Sequence, residues 1–262
     1  MKKKIAILGS TGSIGKNLLS IIKNKPQNYE ITLLSANKNY KELLSQANFF
    51  KVKNIIISNK KIYEKVKSKK LFKNKKLFKD FSSLNKIFYK KKNDYVMSSI
   101  TGINGLEPTL NIIKYTKNIA IANKEAIICG WNLISKELKK YKTNFVPVDS
   151  EHFTIWYALK NNKDEIEKIY LTASGGPFNK LNLSKFSKIT LNQALKHPNW
   201  KMGKKITIDS STLMNKVFEI IEAKNIFNLP YKKLAILIHP NSYVHSIIKF
   251  KNGIIKLVAH ET

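Results

Sequence analysis

The sequence has 262 residues, 43% of them hydrophobic, which is enough for one large domain or two ordinary ones and excludes wholesale disorder. Its 48 basic residues, all of them lysine, outnumber 17 acidic residues and give a net charge of +31. Every apolar run is too short for a transmembrane helix, and the single cysteine, Cys129, excludes an intramolecular disulfide and fits a reducing cytoplasm.

Short apolar runs alternate with segments of helical periodicity in the first half of the chain. Strands separated by helices predict βαβ units and an α/β domain with a Rossmann-like, doubly wound parallel sheet. The predicted strands are Lys4–Gly9, Glu30–Ala36, Asn54–Ser58, Tyr95–Ile100, Asn118–Ala122 and Asn144–Asp149. The predicted helices are Asn17–Lys23, Tyr40–Ala47, Gly105–Lys114 and Lys124–Tyr141.

The second half of the chain lacks this regular alternation, which predicts an α+β catalytic domain. Its last two strands flank Lys251-Asn252-Gly253, a segment typical of a hairpin. The predicted domains are residues 1–146 and 147–262. The predicted strands are Ile169–Ala173, Lys205–Asp209, Leu234–Ile238, Val244–Phe250 and Ile254–Val258, and the predicted helices are Leu191–Lys196 and Thr212–Lys224.

A glycine-rich segment, Gly9-Ser10-Thr11-Gly12-Ser13-Ile14-Gly15, follows the first predicted strand and precedes a helix. Glycines in such a turn permit close approach to a pyrophosphate, and the helix N-terminus supplies N–H groups and a favourable dipole. The spacing differs from the commoner G-x-G-x-x-G, and an ordinary glycine-rich turn is the alternative. The segment predicts a dinucleotide site.

The end of the second strand bears on which dinucleotide binds. Proteins that prefer NAD place Asp or Glu about twenty residues after the glycines, where it holds the ribose hydroxyls. This sequence has Ser35-Ala36-Asn37-Lys38-Asn39 there, without a carboxylate, and Lys38 suits a 2′-phosphate. The position favours NADPH, although lysine is common throughout the chain.

Two carboxylates lie close together in Val148-Asp149-Ser150-Glu151-His152. If this segment ends a strand, the alternation of side chains directs Asp149 and Glu151 to the same side. Neighbouring carboxylates repel unless a cation lies between them, and oxygen ligands suit Mg²⁺ or Mn²⁺. A helix N-cap followed by an acidic residue in the first turn explains the same residues equally well.

A third carboxylate, Glu219, ends the segment Asp209-Ser210-Ser211-Thr212-Leu213-Met214-Asn215-Lys216-Val217-Phe218-Glu219. The serines are predicted at a helix start, with Asn215, Lys216 and Glu219 on one helix face. Hydroxyl, amide and ammonium donors near a helix N-terminus suit a phosphate, and Glu219 is then a candidate for a third metal carboxylate. A capped helix with an ordinary Lys–Glu surface pair is the alternative.

Two more segments are candidates for binding an anion or covering a ligand. Thr172–Phe178 leaves a strand into a Gly-Gly turn, where Ser174 and backbone N–H groups are able to form an anion nest; a plain turn is the alternative. His197-Pro198-Asn199-Trp200-Lys201-Met202-Gly203 combines a titratable group, an aromatic ring and glycine, which suits a lid. A single histidine in a loop is more often incidental.

The positive charge raises the hypothesis of a nucleic-acid-binding protein, with Lys67–Lys92 as the densest basic run. Specific base recognition favours arginine, which the sequence lacks. The lysines are spread over the whole length beside Asn, Ile, Phe and Tyr. This distribution favours a solvated surface over a specific nucleic-acid site.

Seven segments, in order along both halves, resemble the 1-deoxy-D-xylulose 5-phosphate reductoisomerase family. They are Gly9–Gly15, Ala122–Glu125, Val148–His152, Ser174–Phe178, His197–Gly203, Asp209–Glu219 and His239–Ser246. The resemblance implies an oxidoreductase that uses NADPH and Mg²⁺ or Mn²⁺. It also implies a small-molecule sugar phosphate as substrate and a homodimer as the assembly.

The resemblance also implies roles for individual residues. The implied metal ligands are Asp149, Glu151 and Glu219, and the implied catalytic residues are Glu151, His197 and Lys216. The residues implied to bind substrate are Ser150, Ser174, His197, Trp200, Ser210, Asn215 and Lys216, of which Ser174, Ser210, Asn215 and Lys216 hold its phosphate. The residues implied to bind NADPH are Ser10, Thr11, Gly12, Ser13, Ile14, Asn37, Lys38, Asn39, Asn123, Lys124 and Glu125.

The implied reaction converts 1-deoxy-D-xylulose 5-phosphate to 2-C-methyl-D-erythritol 4-phosphate in isoprenoid biosynthesis. The metal acts as a Lewis acid on two neighbouring substrate oxygens, retroaldol and aldol steps rearrange the carbon skeleton, and NADPH reduces the resulting aldehyde. Family members continue beyond the final hairpin into a helical C-terminal domain, which this sequence is expected to lack. An inactive relic or a split subunit is therefore an alternative.

Overall fold

The computed structural model describes residues 1–89, 91–196 and 203–259, and only the backbone of Leu183. The chain forms two compact units, Met1–Val148 and Asp149–Thr262, called unit 1 and unit 2 below. Each unit has a hydrophobic core of its own. Among the described helices, none has the length and apolar character that a membrane crossing requires.

The described part of unit 1 is a parallel sheet whose strands are connected mainly through helices. Its strands are β1 (Lys3–Leu8), β2 (Tyr29–Ala36), β3 (Asn54–Ile57), β4 (Lys76–Phe78), β5 (Asn93–Ser98), β6 (Thr116–Ile121) and β7 (Asn144–Pro147). Its helices are α1 (Ser13–Lys23), α2 (Tyr40–Phe49), α3 (Lys60–Ser68), α4 (Leu84–Ile87), α5 (Leu106–Ile113) and α6 (Lys124–Tyr141).

The strands of unit 1 lie in the order β4-β3-β2-β1-β5-β6-β7, so the order reverses between β1 and β5. Residues 5–8 of β1 are all buried, which is typical of a central parallel strand covered on both faces. Ligands of such sheets bind beyond the carboxyl ends of the strands at the reversal, and the glycine-rich segment follows β1 there. The predicted doubly wound sheet is confirmed.

Unit 2 is built on a mixed sheet in the order β11-β10-β8-β9. Strand β10 is antiparallel to both neighbours, whereas β8 and β9 are parallel. Residues of two helices, α7 and α10, complete the core with Ile169 and Ile248 of the sheet. The strands are β8 (Ile166–Ala173), β9 (Leu234–Ile238), β10 (Val244–Phe250) and β11 (Ile255–Ala259), and the helices are α7 (Ser150–Leu159), α8 (Leu191–Ala194), α9 (Lys204–Ser211) and α10 (Met214–Phe227).

The predicted strand Lys205–Asp209 is wrong, because these residues form helix α9. The isoleucines at 206 and 208 alternate with polar residues and imitate a strand pattern. The buried residues are instead Thr207 and Ser211, four apart, as on a helix face. Ser210 and Ser211 therefore end a helix rather than begin one, and α10 starts only at Met214.

The predicted strand Asn144–Asp149 is confirmed in its first four residues, but its predicted end is wrong. Strand β7 stops at Pro147, and Asp149 is the N-cap position of α7, a helix that the sequence raised only as an alternative for Asp149 and Glu151. The segment Ser150–Leu159 is rich in aromatic and β-branched residues, which have low helix propensity. Packing of Ile155 and Ala158 into the core of unit 2 stabilises the helix in spite of that propensity.

Candidate active site

The glycine-rich turn of unit 1 has a backbone that two of its glycines make possible. Gly9 has φ 81°, and a Cβ there would lie 2.8 Å from the Ser99 carbonyl oxygen. A Cβ on Gly15 would lie 2.6 Å from the Ser10 Cα. Gly12 is different, because a Cβ there would have its nearest neighbour at an ordinary 3.4 Å and the residue is exposed. Gly12 is thus the glycine that a ligand is able to approach.

Helix α1 begins directly after Gly12, and its first turn carries no acidic side chain. Its N-terminus therefore offers N–H groups and the positive end of the helix dipole to an anion. Ser13 is exposed, and Thr11 and Ile14 are partly exposed. Ser10 is fully buried, and its hydroxyl donates to Gln46 Oε1 at 2.8 Å, so its side chain supports the turn from within.

The residues after β2 form an exposed edge with a single cation, Lys38. The Asn37 amide donates to Ser58 Oγ at 3.0 Å, and Asn39 Oδ1 accepts from the Glu42 N–H at 3.3 Å and so caps α2. The Glu42 carboxylate in the first turn of α2 pairs with Lys16 of α1 at 3.7 Å. A 2′-phosphate at the end of β2 fits this edge.

Asn123 organises the loop that follows β5. Its amide donates to the carbonyl oxygens of Ile100 and Gly102, each at 2.5 Å, and its Oδ1 accepts from the Ala126 N–H at 3.0 Å. The buried Asn123 side chain therefore caps α6 and fixes the loop. Lys124 and Glu125, both partly exposed, begin α6 beside it.

Three carboxylates of unit 2 converge. Asp149 precedes α7, Glu151 lies in its first turn, and Glu219 lies on α10; each offers an oxygen within 4.8 Å of the others. The alternative of a helix start is confirmed, because Asp149 precedes α7 and Glu151 lies in its first turn. The metal site stays a prediction, which the convergence with a third carboxylate supports. We call these three residues the carboxylate cluster.

The donors predicted to bind phosphate on α10 contact the carboxylate cluster. The Lys216 ammonium is 2.6 Å from Glu151 Oε1 and also contacts Glu219, and only 5% of Lys216 is exposed. The Asn215 amide donates to Glu219 Oε1 at 2.5 Å. The Ser150 hydroxyl donates to Glu151 Oε2 at 2.6 Å. The cluster is therefore held by hydrogen bonds from both helices.

The charges of the cluster stabilise one another. Burial raises the pKa of Glu151, but the Lys216 ammonium and hydrogen bonds from His245, Lys216 and Ser150 outweigh burial and hold this pKa well below its usual range. Burial lowers the pKa of Lys216, but Glu151 and Glu219 outweigh it and raise this pKa above its usual value. Both groups are therefore charged at neutral pH.

The residues present fit a divalent cation. Three carboxylates with one ammonium leave a net negative charge, and a donor set made only of oxygens suits Mg²⁺ or Mn²⁺. The glycine turn likewise fits a dinucleotide, because Gly12 leaves room for close approach next to a helix N-terminus.

Sequence reasoning missed two buried residues that support the cluster, His152 and Glu222. His152 Nε2 lies 2.9 Å from the Glu219 carbonyl oxygen, and its Nδ1 lies 3.6 Å from Asp149 Oδ1. Glu222 is 1% exposed and forms a second group of possible ligands with Asp149 and His152. Each lies three residues after a member of the cluster, and this helical spacing was the available signal.

The Gly-Gly turn of unit 2 packs against the end of α9. Gly175 and Gly176 have φ values of 87° and 68°, and the Gly176 N–H donates to Ser174 Oγ at 3.3 Å. A Cβ on Gly176 would lie 2.9 Å from the Ser210 carbonyl oxygen. The turn that carries Ser174 therefore lies next to Ser210. The predicted lid residues His197 and Trp200 lie outside the described residues.

The doubly wound unit with a glycine turn at its reversal suits a dinucleotide, and the carboxylate cluster of the other unit suits a divalent cation, so fold and site together point to a metal-dependent dinucleotide enzyme. Sequence comparison specifies the family. Residues 5–130 match the profile of 1-deoxy-D-xylulose 5-phosphate reductoisomerase, and residues 145–227 match that of its C-terminal domain. The chain belongs to the 1-deoxy-D-xylulose 5-phosphate reductoisomerase family.

Curated relatives carry the same name. The chain is 63% identical over 264 residues to the reductoisomerase of Pelagibacter ubique (strain HTCC1062), covering 99% of this chain and 68% of the relative. It is 44% identical over 256 residues to that of Clostridium acetobutylicum, covering 96% and 66%. The chain thus spans about two thirds of the length of these relatives.

Solved structures agree with this assignment. The reductoisomerase of Zymomonas mobilis in complex with NADPH superposes with a TM-score of 0.88 at 33% identity, over 100% of this chain and 68% of that one. A DOX-P reductoisomerase in complex with NADPH, fosmidomycin and magnesium superposes with a TM-score of 0.86 at 33% identity, over 98% and 66%.

Proposed function

We propose that this chain catalyses the reaction of its family, the conversion of 1-deoxy-D-xylulose 5-phosphate to 2-C-methyl-D-erythritol 4-phosphate with NADPH and a divalent cation. The observation that carries the proposal is the carboxylate cluster, found in a chain 63% identical to a relative of that name. The NADPH and magnesium in related structures support both cofactors.

Residues 1–146 are proposed to bind NADPH. Gly12 and the N-terminus of α1 receive the pyrophosphate, and Lys38 pairs with the 2′-phosphate. Asn123 holds the loop after β5 against α6. The remaining proposed contacts come from the same turn and helix starts, namely Ser10, Thr11, Ser13, Ile14, Asn37, Asn39, Lys124 and Glu125.

Residues 147–262 are proposed to bind metal and substrate. Asp149, Glu151 and Glu219 would hold a divalent cation, which would supply Lewis acidity to the substrate oxygens, and NADPH would supply the hydride. Ser150 contacts the carbon chain, and His197 and Trp200 cover it. Phosphate binding by Ser174, Ser210, Asn215 and Lys216, remote from the reacting carbons, orients the substrate.

An assay of product formation tests this proposal. The chain is mixed with 1-deoxy-D-xylulose 5-phosphate, NADPH and Mg²⁺, alone and with the last third of the Pelagibacter relative added as a separate polypeptide. We expect NADPH oxidation that requires substrate and Mg²⁺ in at least one mixture. Activity only after addition shows that turnover needs the segment by which the relative is longer than this chain. Absence of turnover in both mixtures contradicts the proposal.

We also infer a homodimer formed through the sheet of unit 2. Ile247 is the register neighbour of Leu257 on one side and Tyr170 on the other, so the three share a face, opposite to the buried Ile248. Leu257 is 54% exposed. Light scattering should give twice the chain mass, and Leu257→Glu should give the monomer. A monomeric wild type at all concentrations contradicts the dimer.

The reaction is proposed to occur in the cytoplasm. The single cysteine, Cys129, is exposed as a free thiol, which suits a reducing compartment. In intact cells, we expect a membrane-permeant thiol reagent to label Cys129 and an impermeant reagent to leave it unlabelled. Labelling by both reagents contradicts this location.

A further inference from the structure

Lys216 holds an unusual position for a residue expected to bind phosphate. Its side chain is nearly fully buried, and its ammonium contacts Glu151 and Glu219, two of the three members of the carboxylate cluster. Its neighbour Asn215 donates to Glu219 as well. Lys216 and Asn215 are therefore both bonded to carboxylates that are proposed to bind the metal.

A buried ammonium at this point has a clear electrostatic role. Three neighbouring carboxylates need a compensating positive charge, because a buried unpaired charge is strongly destabilising. Lys216 supplies that charge, with its Nζ 2.6 Å from Glu151 Oε1. A divalent cation on the same oxygens would repel the ammonium at a distance where charges interact strongly. The two cations therefore compete for Glu151 and Glu219.

Displacement of the ammonium leaves it near the groups expected to hold phosphate. Lys216 lies in the first turn of α10, and only two residues separate the start of α10 at Met214 from the end of α9 at Ser211. Ser210, the residue before Ser211, packs next to the Gly-Gly turn that carries Ser174. The flexible lysine stem allows the ammonium to change partners without unfolding of the helix.

We propose that Lys216 is a resident counter-ion that a divalent cation displaces from Glu151 and Glu219, which releases Lys216 and Asn215 to bind the substrate phosphate. The inference rests on the proposed function, because it takes the carboxylate cluster as the metal site. It makes metal and phosphate binding positively coupled, and thermodynamic linkage requires each ligand to tighten the other by the same factor.

Mn²⁺ titrations of the full chain, followed by electron paramagnetic resonance, test the coupling with inorganic phosphate as the probe. Protein-free titrations of the same composition correct for Mn²⁺–phosphate complexes. In the wild type, saturating phosphate should tighten Mn²⁺ binding at least fivefold. Lys216→Met should bind Mn²⁺ at least tenfold more tightly than the wild type without phosphate, and phosphate should then have no effect. Lys204→Met removes an exposed lysine on α9 and should match the wild type.

A measurement on the wild type keeps the test independent of how well the variant folds. Nitrogen-15 NMR of the lysine ammonium groups should detect one slowly exchanging ammonium without metal, absent from Lys216→Arg, because Lys216 is buried. Saturating Mg²⁺ should abolish its protection. An ammonium whose protection is unchanged by Mg²⁺, or Mn²⁺ binding that Lys216→Met fails to tighten, overturns the inference.

The Glu219→Gln variant separates this inference from the proposed function. If Glu219→Gln leaves Mn²⁺ affinity unchanged, the carboxylate cluster is not the metal site, and the proposed function and the inference fail together. If Glu219→Gln weakens Mn²⁺ binding but Lys216→Met does not tighten it, the metal site stands and only the counter-ion role of Lys216 is rejected.

Discussion

The glycine turn of unit 1 is a site formed by one segment of the chain, whereas the carboxylate cluster of unit 2 is formed by residues far apart in the sequence. The turn is specified by seven consecutive residues, two of which must be glycine because a Cβ would collide with nearby backbone. The cluster joins the start of α7 to the middle of α10, and a lysine of α10 balances it. A local site is thus encoded by backbone requirements, whereas a long-range site depends on the packing of whole elements.

The largest expected effect comes from one substitution in the carboxylate cluster, which should weaken metal binding and leave NADPH binding intact. Glu219→Gln removes one charged oxygen ligand while keeping the side-chain shape. We expect Mg²⁺ or Mn²⁺ affinity to fall by at least about 100-fold, since even groups that only support metal ligands change affinity 10- to 100-fold. Calorimetric titration measures the metal affinity, and NADPH affinity should stay within twofold.

The exposed Glu167, which pairs with Lys249 on the sheet of unit 2, offers a matched control. Glu167→Gln should leave metal affinity unchanged. Equal losses in the two variants would indicate a general effect of negative charge and would contradict a specific role for Glu219.

Alanine substitutions at two glycines of the turn should have different effects, one on stability and the other on NADPH binding. Alanine in place of glycine within a helix normally stabilises by about 1 kcal/mol. At Gly15 the new Cβ would lie 2.6 Å from a backbone atom, so we expect Gly15→Ala to destabilise unit 1 by about 1–3 kcal/mol in urea unfolding.

At Gly12 the nearest atom to a new Cβ is 3.4 Å away, and we expect Gly12→Ala to change the free energy of unfolding by less than about 0.5 kcal/mol. The same methyl group should weaken NADPH binding about tenfold, because it occupies the exposed side where the pyrophosphate approaches. Similar effects of both substitutions on stability would contradict this division.

The last expected effect concerns cofactor choice and is confined to one of the two cofactors. Lys38→Ala should weaken NADPH binding about tenfold, the loss expected for one charge-assisted pair, and leave NADH binding unchanged. Lys41→Ala, an exposed lysine in the first turn of α2, should change neither affinity. A wild type that binds NADH as tightly as NADPH would remove the basis for this prediction.

The same contrast explains which structural features the sequence could predict. In unit 1, fully buried strands and a local turn have clear patterns, and the doubly wound sheet was predicted. Some boundaries of helices and strands differ from the prediction. Helix α1 starts at Ser13 rather than Asn17, because Gly12 takes the N-cap position. The segment between β3 and β5 holds α3, β4 and α4, which lysine-rich surface residues concealed.

In unit 2 the convergence of the three carboxylates was easier to predict than the secondary structure around them. Helix α7 has aromatic and β-branched residues that conceal its periodicity, and α9 imitates a strand. The convergence of Glu219 with Asp149 and Glu151 came from family resemblance, since no local pattern connects two helices so far apart. The position of Lys216 among the carboxylates depends on tertiary packing, and sequence alone did not indicate it.

The most direct test of the account is the position of a bound metal. Crystals of the chain are soaked in Mn²⁺, and its anomalous scattering locates the ion. We expect one site in unit 2 with oxygens of Asp149, Glu151 and Glu219 all at about 2.1 Å from Mn²⁺. A manganese ion elsewhere, or Glu219 turned away from an ion held by the other two, would contradict the central claim that these three carboxylates form one metal site.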